Sequence, residues 1–153
     1  MSLTLVADVP YKKILGMKNE ILSLNDKINW AQFTKFEGDN SGKWYLLYNE
    51  KLVHWPNEWE KTLLAVARIR TIDCDSIHLN EFDAKSGYGK LMIDTLYDYF
   101  KRTKDNYPDC KDKTKFTWNA INDKVADHYR KNYTEYSYTG KNKFGWDCFE
   151  RNF

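Results

Sequence analysis

The chain has 153 residues, of which 42% are hydrophobic, 30% charged and 16% aromatic. That length supports a real core, and the supply of bulky side chains excludes intrinsic disorder, while only 7 Gly and 3 Pro exclude collagen-like or linker-dominated designs. The 24 Lys and Arg against 22 Asp and Glu leave a net charge of +2, too even for a dedicated nucleic-acid track. The short clusters Lys101–Lys104 and Lys111–Lys115 are flanked or interrupted by acids.

Cys74, Cys110 and Cys148 lie far apart with no CxxC spacing, so reduced thiols are expected, with no disulfide scaffold and no metal site. No apolar run reaches membrane-spanning length, and no membrane partner is expected. Asp8 and Pro10 interrupt the one apolar stretch near the start, so a secretory leader is not expected and the expected compartment is the cytoplasm.

From about Tyr11 to Leu24, Ile14, Leu15, Met17, Ile21, Leu22 and Leu24 form an apolar stripe and predict a helix, with Pro10 at its start. A weaker helix or loop with Trp30, Phe33 and Phe36 follows. The turn cluster Glu37–Gly42 then leads into strands at Trp44–Tyr48 and Leu52–Trp55, joined by a tight connection at Asn49–Lys51. Leu63–Ile72 reads as a long strand, with a helical start near Trp59 left open. Asp73–Ser76 is a turn, and Ile77–Asn80 a short strand.

Gly89–Arg102 shows the clearest helical period, with Met92, Ile93, Leu96, Tyr99 and Phe100 on one face. Lys115–Asn119 predicts a strand, Asn122–Lys131 a helix, and Tyr133–Tyr138 with Phe144–Phe149 a closing hairpin. This mixture predicts an α/β arrangement, helices packed around one sheet within a single domain spanning residues 1–153.

Chemistry concentrates where a strand, a loop with two glycines and a helix succeed one another. First-turn amides lack intrahelical partners, the helix dipole favours anions, and glycines let the backbone approach a phosphate. Lys85 and Lys90 add charge. The run Ala84-Lys85-Ser86-Gly87-Tyr88-Gly89 carries neither a P-loop nor a full dinucleotide fingerprint. It does match, in both glycines, the Q/R-x-x-G-x-G/A loop of the GNAT N-acetyltransferases, with Ala84 at the leading position. Ile77-His78-Leu79 has the spacing of the preceding L-x-V strand, and Asn122 with Tyr129 repeats that family's Asn and Tyr seven residues apart. Tyr133 stands near the position of the usual glycine. From Asp73 to about Tyr138 the chain therefore resembles that superfamily.

The resemblance implies a mixed, mostly antiparallel sheet flanked by helices, with two central strands splayed apart. It implies an acetyl-coenzyme A cosubstrate and an unidentified amine acceptor. The amides of Lys85, Ser86, Gly87, Tyr88, Gly89 and Lys90 would hold the pyrophosphate. Leu79 and Asn80 would flank the pantetheine arm, Asn122 would contact the coenzyme, and Tyr129 would act as an acid near the sulfur. For the base, Asp73 has the family spacing, although it also suits a turn. His78 has an ordinary pKa near neutrality. Glu81 and Asp83 read as solvated groups beside the loop, and Tyr129 equally suits a core aromatic. Two other functions stay open. One is a coenzyme-A-binding module without chemistry. The other, less favoured, is a nucleic-acid-associated protein using Trp55, Trp59, Arg68 and Arg70. Homodimerisation is compatible with all of them.

Overall fold

The structure, a computed structural model, describes residues 2–35, 42–53, 58–120 and 122–153. Phe36, most of the 37–42 turn, and His54, Trp55 and Pro56 lie outside them. Seven strands form one sheet of order β1-β2-β3-β4-β5-β7-β6: β1 (Ser2–Val9), β2 (Lys43–Val53), β3 (Glu58–Arg70), β4 (Ser76–Ala84), β5 (Lys115–Ala120), β6 (Ser137–Lys141) and β7 (Asp147–Asn152). Among the described residues five α-helices accompany them, α1 (Tyr11–Leu15), α2 (Lys18–Leu22), α3 (Trp30–Phe33), α4 (Gly89–Thr103) and α5 (Asp123–Asn132), with a 3-10 turn at Lys104–Asn106. The β1–β2, β2–β3, β5–β7 and β6–β7 registers are antiparallel, and β4–β5 is parallel. The mixed, mostly antiparallel sheet expected from the sequence is present. The chain divides into two compact units, with β4 and α4 each running from one into the other.

The first unit comprises residues 1–69 and 81–95. Its β1–β2–β3 meander carries α1, α2 and α3. The predicted single helix over 11–24 is two five-residue helices separated at Gly16–Met17, where the amide of Gly16 returns to the carbonyl of Lys12 and that of Met17 to Ile14. The apolar spacing survives this break. Ile14, Met17, Ile21 and Leu24 are all buried, and they join Val9, Phe33, Trp44, Leu46, Leu63 and Val66 in one core. β1 was not anticipated. Asp8, at φ 53°, occupies a register break between Val6 and Val9, so the residue that reads as an interruption is a bulge within the strand. Asn49–Lys51 lies inside β2, paired with Lys61–Thr62 and Glu60 of β3, and is not a turn. The region around Trp59 is strand, with Trp59 paired to Leu52.

The second unit comprises residues 70–80 and 96–153. Phe116 and Trp118 of β5, both essentially buried, meet Tyr97 and Phe100 of α4, Tyr136, and Phe149 of β7 through stacked and edge-on ring contacts. Tyr133 and Tyr136 are buried within this cluster and precede β6. The hairpin strands therefore start about three or four residues later than expected: Tyr133 and Tyr136, which read as strand, fill the core before β6, whereas Phe144 and Trp146 before β7 are exposed. Asp147 at the start of β7 is 1% exposed. Its carboxylate accepts the Tyr138 hydroxyl at 2.6 Å and lies 3.3 Å from the Arg130 guanidinium and 3.2 Å from the Lys141 ammonium. The Tyr138 hydrogen bond first, then Lys141 and Arg130, hold its pKa below the ordinary carboxylate value.

A carboxyl group with a depressed folded-state pKa contributes stability at pH values above its unfolded pKa. The contribution is lost as pH falls through the folded pKa. Wild-type chain therefore loses stability below about pH 4, and Asp147→Asn has a flatter acid limb. Urea unfolding between pH 3 and 7 measures this, and identical limbs in the two proteins would remove Asp147 from the account.

Candidate functional site

β4 enters the second unit as a buried strand. Ser76, Ile77, His78 and Leu79 are buried, whereas Asn80 to Ala84 are half-buried. The parallel ladder pairs Ser76 with Lys115, Ile77 with Phe116, His78 with Thr117 and Leu79 with Trp118. It ends there, although β4 continues to Ala84 and β5 to Ala120. The strands part after Leu79, as expected for splayed central strands. Backbone groups beyond the last pair need other partners.

β4 runs on into the glycine loop, which lies in the first unit. Its geometry is tight and specific. The Lys85 amide donates to the carbonyl of Leu64 at 2.9 Å, and the Tyr88 amide donates to Lys85 at 3.0 Å. These two amides of the expected anion cradle are therefore engaged in the turn itself. Ser86 and Gly87 are exposed at the bend, and α4 begins at Gly89. By helix geometry, the amides of Gly89, Lys90 and Leu91 have no intrahelical acceptor. Gly87 has φ 88°, a conformation that favours glycine, and a β-carbon built there would meet nothing within 4 Å. The bend is thus backbone-lined and open on that side. The Lys90 ammonium sits 2.7 Å from Asp94, one helical turn on.

Lys85 also lines, in the same unit, an open cavity of about 350 Å³ with Glu20 of α2, Ser23 at its C-cap, Tyr48 of β2, and Lys61, Thr62 and Leu63 of β3. Burial, with Glu20 second, raises the Tyr48 phenol above its ordinary pKa, so it remains a neutral donor.

The candidate bases behave differently from their sequence-based descriptions. His78 is 9% exposed and its Nδ1 lies 2.7 Å from the Thr117 hydroxyl. Burial first and the Arg70 guanidinium second push its pKa down to about 4, against a weaker upward pull from Asp73. His78 is therefore a neutral imidazole at pH 7 and a poor proton acceptor. Asp73 receives Arg70 Nε at 3.1 Å, and its carbonyl accepts the Lys113 ammonium. Arg70, Asp73 and His78 thus form one electrostatic group within the second unit, but the carboxylate is already paired.

In the first unit, Glu81 and Asp83 are half-buried where solvated groups were expected. Glu81 lies 3.8 Å from Arg68, whose guanidinium is 5.9 Å from the Trp44 ring centroid. Burial raises the Glu81 pKa, partly offset by Arg68. Burial first and Glu81 second raise Asp83 from 3.8 to about 6. Sequence reasoning missed this pair because burial of a charged strand segment leaves no residue-type signature. Arg68 and Arg70 are each engaged with a carboxylate, and neither forms a free basic track.

The remaining candidates belong to the second unit. Asn122 is the N-cap of α5, its Oδ1 accepting the Val125 amide at 2.9 Å. Tyr129 is half-buried, with its ring edge-on to Tyr133 at 4.8 Å, Phe149 at 5.5 Å and Trp118 at 5.9 Å. The core-aromatic reading of Tyr129 holds for its ring. No group of side chains suited to a metal ion occurs among the described residues, and no described helix is long and apolar enough to cross a membrane.

No protein-family model and no curated protein matches this chain. Solved structures do match it. The ribosomal-protein-S18-alanine N-acetyltransferase of Escherichia coli superposes over 99% of this chain and 94% of its own, with TM-score 0.60 and 11% identity. An IAA acetyltransferase from Bacillus cereus covers 99% of this chain and 100% of its own, with TM-score 0.58 and 11% identity. The PaiA N-acetyltransferase of Thermoplasma acidophilum, solved with coenzyme A, covers 100% of both chains, with TM-score 0.56 and 11% identity. The fold is that of the GNAT acetyltransferases.

A histidine whose folded pKa lies near 4 rather than 6.5 contributes stability fully present above pH 6.5. That contribution is lost as pH falls toward 4, by about 3 kcal/mol over the window. His78→Gln should lose less stability than wild-type chain as pH falls between those limits in denaturant unfolding. Parallel curves for the two proteins would refute the shift, because the oppositely signed titration of Asp83 is common to both.

Proposed function

We propose that this protein is an acyl-coenzyme-A-dependent N-acyltransferase, moving an acetyl group from acetyl-coenzyme A to an amine. The observation that carries the reading is the β4–loop–α4 segment. It combines a strand that leaves its ladder after Leu79 with a backbone-lined bend whose Gly87 is open where a β-carbon would stand. The GNAT fold supports it.

In this reading the pyrophosphate meets the Ser86, Gly87, Gly89 and Lys90 amides at the positive end of α4. The amides of Lys85 and Tyr88 shape the cradle rather than donate to the ligand. The pantetheine arm follows β4 beside Leu79 and Asn80, and a strand amide released from the ladder polarises the thioester carbonyl. Asn122 keeps its amide nitrogen for the coenzyme while its oxygen caps α5. Tyr129 delivers the proton to the departing sulfur, its ring fixed by aromatic packing. Direct attack by the amine needs no covalent enzyme intermediate. The protein works as a cytoplasmic enzyme, and acyl-coenzyme A and the amine are its partners.

A second reading, a coenzyme-A-binding module without chemistry, is favoured by the low basicity of His78 and the paired state of Asp73. Release of free thiol with a panel of amines separates the two.

Calorimetry should show coenzyme A binding to wild-type chain, and Gly87→Val should weaken it about tenfold or more. A branched side chain strains a positive-φ position and fills the space left for phosphate. Unchanged affinity would exclude the loop from the site. Tyr129→Phe should lower thiol release about a hundredfold while leaving coenzyme affinity within about twofold. Equal loss in both measurements would leave Tyr129 only a packing role.

A further inference from the structure

The outer part of the β2–β3 ladder sorts its side chains by face. Strand residues alternate between faces, so Tyr48, Glu50 and Leu52 of β2 share one face with their partners Leu63, Lys61 and Trp59 of β3. Tyr48 and Leu63 pack with the core residues of α1, α2 and α3, which marks this as the helix-bearing face. Three rows follow one another outward along it. The first is Tyr48 with Leu63, the second the Lys61–Glu50 ion pair at 3.3 Å, and the third Leu52 with Trp59.

The open cavity of about 350 Å³ is lined by Tyr48, Leu63 and Lys61 of the first two rows, together with Glu20, Ser23 and Lys85. Its volume is that of a small-molecule site. Two of its charges are not used within the protein. Lys61 is held by Glu50, but the half-buried Lys85 has no ion-pair partner among the described residues, and neither has the exposed Glu20. Two hydroxyls accompany them. The Tyr48 phenol is a neutral donor, and the Ser23 hydroxyl donates to the Glu20 carbonyl, which leaves its oxygen to accept. An inorganic anion fits this lining poorly, because the Glu20 carboxylate opposes it. A ligand that carries one charge of each sign fits it well. The third row lies past the cavity, about 7 Å beyond Lys61 along the strand. Trp59 is 60% exposed and Leu52 37% exposed, and Trp59 has no ring partner among the described residues. A charged hollow thus adjoins a flat apolar platform on one face of one hairpin.

We propose that this cavity binds a free α-amino acid with an aromatic side chain. Its carboxylate meets Lys85 and the Tyr48 phenol. Its ammonium meets Glu20 and the Ser23 oxygen. Its ring runs outward past the Lys61–Glu50 pair and stacks on Trp59 beside Leu52. A residue inside a peptide has neither charge on its main chain, so a free amino acid uses the lining where a peptide does not. The step is binding alone, with no bond made or broken. All of these residues belong to the first unit. The site goes beyond the acyltransferase reading and does not depend on it. Lys85 alone is common to the two, through its amide in the loop and through its ammonium here.

Calorimetry on the full chain without coenzyme A tests the site with L-phenylalanine, L-alanine, 3-phenylpropionate and phenethylamine. Phenylalanine should bind, and each of the others, which lack the ring, the ammonium or the carboxylate, should bind about tenfold more weakly or worse. The variants then assign each contact through the preference and not the affinity. Lys85→Met should bind phenylalanine and phenethylamine equally. Glu20→Gln should bind phenylalanine and 3-phenylpropionate equally. Trp59→Ala should lose the preference for phenylalanine over alanine. A variant that has merely unfolded loses every probe at once, and Trp59→Ala, at an exposed position, keeps the test decisive if either of the others fails to fold. No saturable phenylalanine binding up to about 10 mM would overturn the site. Preferences that survive all three substitutions would overturn it as well.

Discussion

Main-chain hydrogen bonding is the constraint on which the rest depends. A buried amide or carbonyl must find a partner, and a sheet normally supplies one at every residue. β4 satisfies this rule up to Leu79 and then departs from its parallel neighbour. A few residues later the chain begins α4, where first-turn amides again have no partner in the helix. Two separate shortages of acceptors thus fall on one strand–loop–helix segment. The Lys85–Leu64 and Tyr88–Lys85 hydrogen bonds hold the intervening bend in shape, so its remaining donors are fixed in direction before any ligand arrives. Preorganised donors are what a diphosphate and a thioester oxyanion both require.

Packing supplies the rigidity. In the first unit, apolar residues of α1, α2 and α3 cover β2 and β3 around Trp44 and Phe33, whose rings lie 5.1 Å apart. In the second, Trp118 is surrounded by Tyr129, Tyr133, Tyr136 and Phe149. Core and chemistry are not alternatives for Tyr129. An aromatic ring held on several edges would lose little further freedom if its hydroxyl acted as proposed, so packing is compatible with that role.

The readable parts of the sequence were those with a strong local period or an unusual residue. α4 and α5 follow from apolar spacing, β5 from the Phe116–Trp118 alternation, and the loop from Gly87 and Gly89. The unreadable parts depend on tertiary context. β1 was hidden because Asp8 reads as a break, and only pairing with β2 makes it a bulge. The separation of α1 from α2 leaves the buried stripe unchanged, so the periodicity carries no trace of it. Tyr133 and Tyr136 have strand-like identities but serve as core plugs before β6. At the site, the glycines were legible and the working protonation states were not.

Those protonation states follow from one physical effect acting on groups of opposite sign. Burial disfavours whichever form carries charge. On β4 it acts on an imidazole at position 78 and a carboxyl at position 83. The imidazole loses its proton more readily and falls to about 4, while the carboxyl holds its proton and rises to about 6. Neighbouring charges reinforce both changes, Arg70 against the imidazolium and Glu81 against the carboxylate. The ordering expected for free side chains, with histidine the stronger base, is thereby inverted along a single strand.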